Sequence, residues 1–297
     1  MNIRDELARS TRTLQDASFV SSSLDAELLL AHCIGKERAH ILAFGEQLLT
    51  EKQQKSYRDL IDKRVRNVPL AYLVGSKNFF GHEFYVNKYT LIPRPETELL
   101  VAAAVEYLNE HSDSRLSVLD VGTGSGCIII SIALAVQRSG FMMGIDRVKR
   151  ALELAKKNAE KHGVANRILF KRYNMLSLVK DKRFDIIVAN LPYLSPVELV
   201  EARRTNLELA HEPQIALLGG KDGMLFQKQL IAQARKRLKP NGVIFMEIGD
   251  TQGTEIEQVA HQYLDPCSVE IKKDLCVRDR MAVIRTGAVS PVMQSPA

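Results

Sequence analysis

At 297 residues the chain is long enough for about two domains of ordinary size. Apolar residues make up 45% and charged residues 26%, the balance of a chain with real cores and a solvated surface, which excludes a disordered or fibrous class. The net charge of +6 is compatible with an acidic partner such as RNA but does not require one.

No stretch approaches the roughly 18 uninterrupted apolar residues that span a bilayer, and Met1-Asn2-Ile3-Arg4-Asp5-Glu6 lacks the apolar run of a signal peptide. Cys33, Cys127, Cys267 and Cys276 are widely spaced, with no C-x-x-C pair. That argues against a zinc site or a disulfide framework and fits a cytoplasmic chain.

The first 70 or so residues read as helices. Ser22-Ser23 are N-cap candidates for a helix that Gly35 stops. Thr50-Glu51-Lys52-Gln53 has the form of a capping box, and Tyr57, Leu60, Ile61 and Val65 follow at helical spacing. Residues 1–74 are therefore expected to form a small all-helical domain. Two aromatic runs flank Gly81-His82, predicting a β-hairpin connector over 75–92 with His82 as a structural turn residue. From 93 to 285, strands alternate with helices. Strands are expected at 117–121, 141–145, 168–171, 184–189 and 243–248, and helices at 126–136, 148–162 and 223–238. Pro95-Glu96-Thr97-Glu98 opens one further helix, Pro240-Asn241-Gly242 ends that over 223–238, and 268–272 with 281–285 form an edge pair. This order predicts an α/β fold with a mostly parallel sheet covered on both faces. Residues 286–297 have no periodicity and read as a flexible tail. The cations Arg147, Lys149, Arg150, Lys156, Lys157, Lys161, Arg167, Lys171 and Arg172 meet only Glu153 and Glu160 in that stretch. The first reading of them is a solvated helix face, and the second is a docking patch for an acidic partner.

The chemistry concentrates at three strand ends. An apolar strand runs into Gly122-Thr123-Gly124-Ser125-Gly126 at a helix start, where glycines allow a tight turn and a close approach of ligand to backbone. Cys127 occupies the place of a third dinucleotide-fingerprint glycine, and no Gly-Lys-Ser/Thr follows, so neither NAD nor a P-loop is indicated. Asp146 ends the next strand about 20 residues on, where an acid can accept from ribose hydroxyls. Asn174 and Met175 follow the third strand and are candidates for an adenine edge and its covering. The result is an adenosine site without a pyrophosphate cradle, which suits S-adenosyl-L-methionine. Asn190-Leu191-Pro192-Tyr193 then leaves a central strand beside that site. The Asn190 side-chain oxygen and the Leu191 carbonyl can accept the two N–H bonds of a planar amino group. Pro192 biases Leu191 to an extended conformation, and Tyr193 can stack on the acceptor. Amide and nucleobase acceptors both satisfy this motif.

Residues 122–126, Asp146 and Asn190-Leu191-Pro192-Tyr193 resemble the class I methyltransferases that modify amino nitrogens, with their Rossmann-like fold. Leu91-Ile92-Pro93-Arg94-Pro95-Glu96-Thr97-Glu98, Glu212-Pro213 with Ala216-Leu217, Gly219-Gly220 with Asp222-Gly223, Glu247-Ile248-Gly249 and Asp279-Arg280 narrow the resemblance. They are similar to the peptide chain release factor glutamine methyltransferases over residues 68–285. The resemblance implies methylation of the glutamine amide nitrogen in the GGQ motif of class 1 release factors. It implies cofactor contacts from Gly122, Thr123, Gly124, Ser125, Gly126, Asp146 and Asn190, and a grip on the release factor by the helical domain. A monomer that needs neither membrane nor nucleic acid is expected, and Arg94 and Glu98 either brace the site, the reading preferred here, or touch the substrate. Two positions depart from the family pattern: Leu191 replaces the first of two prolines, and Asn174 replaces an Asp. Asn-Leu-Pro-Tyr is also typical of ribosomal RNA adenine dimethyltransferases. An RNA adenine methyltransferase, a ribosomal protein glutamine methyltransferase and an inactive binding module therefore stand as alternatives.

Overall fold

The computed structural model describes residues 1–111, 115–136, 140–176, 179 and 182–287. The expected tail falls almost wholly outside the described residues. The chain divides into two compact units: Met1–Ser76 with Arg203–His211, and Lys77–Ala202 with Glu212 onward.

The first unit holds α1 (Ile3–Asp16), α2 (Ser22–Ile34), α3 (Arg38–Ala43), α4 (Glu51–Val65) and α5 (Leu70–Val74). The Thr50–Gln53 capping box is present, with the Thr50 hydroxyl accepting from Gln53 N and Gln53 Oε1 accepting from Thr50 N. Gly35 ends α2 in the left-handed conformation. Ser22 and Ser23 are not caps. They lie inside the first turn of α2, where the Ser23 hydroxyl donates to Glu27 four residues on and Ser22 donates back to the Phe19 carbonyl. Ile3, Leu14, Leu29, Leu30, Ile41 and Tyr57 fill the core.

Arg203–His211 belongs to this unit for an electrostatic reason. The buried Arg64 guanidinium lies 2.7 Å from Asp25 and 2.6 Å from Glu208, and stacks on Phe19. A buried cation needs this much compensation, and Glu208 supplies part of it from more than a hundred residues away. No local sequence pattern announces that pairing.

The second unit opens with the hairpin of β1 (Ser76–Phe79) and β2 (His82–Tyr85). Its two-residue turn is Phe80-Gly81, both at positive φ, rather than Gly81-His82. Such a turn matches the twist of the flanking strands, and His82 becomes the first residue of β2. After a 3-10 turn at Pro95–Thr97 come α6 (Glu98–Glu110), β3 (Val118–Val121), α7 (Cys127–Ala135), β4 (Met142–Asp146), α8 (Lys149–Lys161) and β5 (Ile168–Arg172). There follow β6 (Phe184–Ala189), α9 (Pro196–Thr205), α10 (Leu225–Ala234), β7 (Leu238–Glu247), α11 (Gly253–Leu264), β8 (Cys267–Lys273) and β9 (Asp279–Thr286).

These strands form one sheet in the order β5-β4-β3-β6-β7-β9-β8. The first five are parallel, and the expected edge pair β8–β9 is antiparallel, with β9 lying against β7. One apolar layer packs the sheet against α6, α7, α8 and the hairpin residues Phe79 and Phe84. The other packs it against α10 and α11.

Two sequence expectations are corrected here. Helix α10 stops at Ala234, and Pro240-Asn241-Gly242 lies inside β7. Phe184 pairs with Leu238 and Ile186 with Val243, so the residues between bulge out of the ladder, where a proline is tolerated. Helices α9 and α11 had no expectation attached to them.

Many cations of the 147–172 stretch already have partners. Arg150 stacks on Tyr89, Lys161 pairs with Glu83, Arg167 donates to the Ala133 and Val136 carbonyls, and Arg172 donates to the Arg147 carbonyl.

Candidate active site

The chain leaves β3 toward β4 on one side of the sheet, while β6 and β7 lie on the other. The carboxyl ends of β3 and β6 therefore flank the crevice where open α/β sheets bind ligands. Val121 pairs with Ala189, so the register places Gly122 beside Asn190. A cleft opens there, partly open to solvent.

The glycine turn forms one wall. Gly122, Gly124 and Gly126 all have positive φ, a region that costs other residues free energy. A Cβ on Gly122 would lie 3.1 Å from Leu191 Cδ2, so the missing side chain is what lets the two motifs touch. A Cβ on Gly124 would meet nothing closer than 3.8 Å, leaving its backbone open to the cleft. Gly122, Thr123, Gly124 and Ser125 all line that wall. Gly126 is set back from the cleft. Its Cβ position is crowded by Ile130 Cδ1 at 2.9 Å and Ala155 Cβ at 3.1 Å, so it serves the packing of α7 on α8.

Asp146 lines the cleft at the end of β4. Its carboxylate accepts from Gly124 N at 3.0 Å and from Val148 N at 2.8 Å. It thus ties the glycine turn to the backbone that leads into α8. Burial pushes its pKa up, opposed by those two amides. Tyr173, Asn174 and Met175 line the far end of the cleft, Met175 with positive φ and nearly buried. Beneath the turn lies Asp120, which sequence reading passed over. It is fully buried, accepts from the Thr123 hydroxyl at 2.6 Å, and leaves Oδ1 without a partner among the described residues. Burial pushes its pKa up to about 7. The only signal was an acid in an otherwise apolar strand.

The other wall is the tetrapeptide. Asn190, Leu191 and Pro192 line the cleft. Asn190 Nδ2 donates to Thr97 Oγ1 and to Glu247 Oε2, both at 2.9 Å. Both of its N–H bonds are occupied, so its Oδ1 is the group left to meet a ligand. Leu191 is buried, and among the described residues no donor reaches its carbonyl. Tyr193 does not line the cleft. It is half-buried and its hydroxyl donates to the buried carboxylate of Glu247, at 3.3 Å from Oε1. Burial, then the Glu247 charge, push the Tyr193 pKa up.

The outlying segments turn out to be supports. Gln252 Nε2 donates to the Tyr193 carbonyl at 3.0 Å while its Oε1 accepts from Gly249 N. A Cβ on Gly219 would lie 2.6 Å from Pro192 O, and one on Gly223 would lie 2.4 Å from Tyr193 O. Those glycines exist so that a loop can pass directly under the tetrapeptide backbone. Buried Glu212 pairs with Arg94 and accepts from Ile92 N at 3.1 Å. Glu98 accepts from Phe80 N at 2.8 Å. Both residues thus hold neighbouring segments, and Arg94 also borders the cleft. Thr97, Glu247 and Gln252 were missed as site residues. Each lay in or beside a recognisable segment, but its partner is far away in sequence.

Comparison with known proteins gives the family. Residues 112–276 match the family described as "Methyltransferase domain", and residues 5–75 match the "PrmC N-terminal domain". The release factor glutamine methyltransferase of Nitratidesulfovibrio vulgaris is 34% identical over 96% of this chain and 95% of its own length. That of Xylella fastidiosa (strain Temecula1) is 35% identical over 88% and 92%. The chain belongs to the release factor glutamine methyltransferase family.

Solved structures at lower identity confirm the fold alone. The hMettl16 catalytic domain has a TM-score of 0.57 at 17% identity, covering 78% of this chain and 83% of its own. A methyltransferase from Pyrococcus furiosus has 0.51 at 18%, covering 76% and 99%. This family member is an S-adenosylmethionine-dependent methyltransferase. The residues present fit the cofactor, since the open backbone at Gly124 and the acid of Asp146 offer what an adenosine and a charged tail require. Among the described residues no helix is long and apolar enough to cross a membrane.

Proposed function

We propose that this chain methylates the side-chain amide nitrogen of the GGQ glutamine in class 1 peptide chain release factors. The observation that carries this is the chain's membership of the release factor glutamine methyltransferase family, and the orientation of Asn190 supports the chemistry: with both N–H bonds held by Thr97 and Glu247, its Oδ1 is left to accept from a substrate N–H.

A glutamine amide is a weak nucleophile because its lone pair is delocalised. Bound S-adenosylmethionine supplies an electrophilic methyl group. The protein's task is to hold the amide's N–H bonds and aim its nitrogen. Asn190 Oδ1 accepts one N–H and the Leu191 carbonyl accepts the other, which turns the nitrogen toward the cofactor wall across the Gly122–Leu191 contact. Fixed acceptors of this kind act by orientation and preorganised dipoles. No base is required before transfer, because the N-methylated amide cation is a strong acid and loses its proton afterwards. Residues 1–74 would grip the release factor, and the chain would act as a cytoplasmic monomer.

The deciding experiment supplies labelled S-adenosylmethionine with release factor, ribosomal protein or total RNA in separate reactions. Label is expected in the release factor, on glutamine. Label in RNA or ribosomal protein instead would replace this function with one of its alternatives.

A further inference from the structure

Glu247 lies outside the tetrapeptide in sequence but at its centre in space. It ends β7, is buried, and its two oxygens accept three hydrogen bonds. Oε2 takes the Thr97 hydroxyl at 2.7 Å and Asn190 Nδ2 at 2.9 Å, and Oε1 takes the Tyr193 hydroxyl at 3.3 Å. The amide of Asn190 has two possible orientations. Only one places nitrogen against Glu247, and an ionised carboxylate, which has no proton to give, accepts only that one. The reverse would press two buried acceptors together.

We propose that Glu247 is a positioning residue that fixes the Asn190 amide with its oxygen toward the substrate, and that methyl transfer requires Glu247 as the carboxylate. This rests on the Asn190 clamp proposed above. A protonated Glu247 becomes a donor. It then stabilises the flipped amide, which would present N–H to the substrate's own N–H, and the clamp would repel what it should hold.

The surroundings make that protonation accessible. Burial pushes the Glu247 pKa above the usual carboxylate range and the Glu96 charge adds to this, while the Thr97 hydrogen bond, Arg280 from β9 and the Tyr193 hydroxyl oppose it. The sign follows: transfer is active above that pKa and falls as pH drops through it.

The test measures kcat and KM for release factor, and Kd for S-adenosylmethionine, from pH 5 to 8 in the wild type and in Glu247→Gln. Glu247→Gln keeps the shape but lets a side-chain amide present either a donor or an acceptor. Its expected effect is a fall in kcat of about 100-fold, cofactor Kd within about twofold, and loss of the acid limb seen in the wild type. Wild-type kcat in Glu247→Gln, or an unchanged acid limb, overturns the proposal. Should the variant not fold, the wild type decides alone. An acid limb in kcat at constant cofactor affinity supports the proposal, and a flat profile overturns it. Asn190→Ala separates the two ideas: if it loses transfer while Glu247→Gln does not, the clamp stands and only the role of Glu247 falls.

Discussion

The two walls of the cleft are built by different means. The glycine wall is shaped locally: three glycines at positive φ within five residues bend the backbone, and Asp146 holds the turn from the neighbouring strand. The acceptor wall is shaped at a distance. Its proposed chemistry depends on which way one amide points, and that amide is held by Thr97 and Glu247, 93 and 57 residues away. A binding wall needs a cavity of the right form, whereas a reacting wall needs one atom aimed, and aiming takes partners from several elements.

The largest effect should come from removing the aimed atom. Asn190→Ala deletes the proposed acceptor for the reacting group, so transfer should fall by about 100- to 1,000-fold. Cofactor affinity, measured by equilibrium titration, should stay within a few-fold, because the glycine wall is untouched. A variant that lost cofactor binding instead would erase the distinction between the walls.

Asn158→Ala probes the point where the division is weakest. This fully buried side chain accepts from Tyr85 N at 2.8 Å and donates to the Tyr85 carbonyl at 3.0 Å and the Ser125 carbonyl at 2.8 Å. It ties the hairpin to the glycine wall, so that wall too has one distant support. Leaving these backbone groups unpaired should cost about 2–3 kcal/mol, read as a lower midpoint in urea unfolding. A weakened cofactor affinity in the folded variant is expected with it.

What was legible in the sequence follows the same line. The glycine turn, Asp146 and the strand–helix alternation are patterns within a few residues, and the sheet was readable from them. The tetrapeptide was readable as a candidate clamp because Asn, a carbonyl and Pro192 are adjacent. Its orientation was not, since Thr97 and Glu247 become neighbours of Asn190 only once the sheet has closed. Gly126 looked like its two companions and proved to be a packing residue, a difference set by Ile130 and Ala155 rather than by spacing. The Glu208 contact with Arg64 was hidden for the same reason as Glu247: an ion pair between distant segments leaves no periodic trace.

Gly122→Ala tests the contact between the walls from the cofactor side. The backbone there sits at φ of +77°, and the new methyl would lie 3.1 Å from Leu191 Cδ2. Backbone strain of this kind costs about 1–3 kcal/mol, and Leu191 must also shift by a few tenths of an ångström. Cofactor affinity should fall by roughly tenfold, with kcat at saturating cofactor much less affected. Equal losses in both would mean that the walls move as one body.

Leu191→Pro approaches the same contact from the acceptor side and should have the smallest effect. Position 191 belongs to both walls: its carbonyl is part of the proposed clamp, and its side chain covers Gly122. Proline keeps the carbonyl. It removes an N–H that has no hydrogen-bond partner among the described residues, so no backbone bond is lost. The cost is confined to the packing of a buried leucine tip against the glycine turn, about 1–2 kcal/mol for a few methyl groups. The variant should therefore keep kcat within about threefold, since a loss of clamp geometry would instead cost a hundredfold or more. Any loss should appear in cofactor affinity and thermal stability. If kcat collapses while cofactor affinity holds, the leucine side chain is itself aiming the carbonyl, and position 191 belongs to the acceptor wall alone.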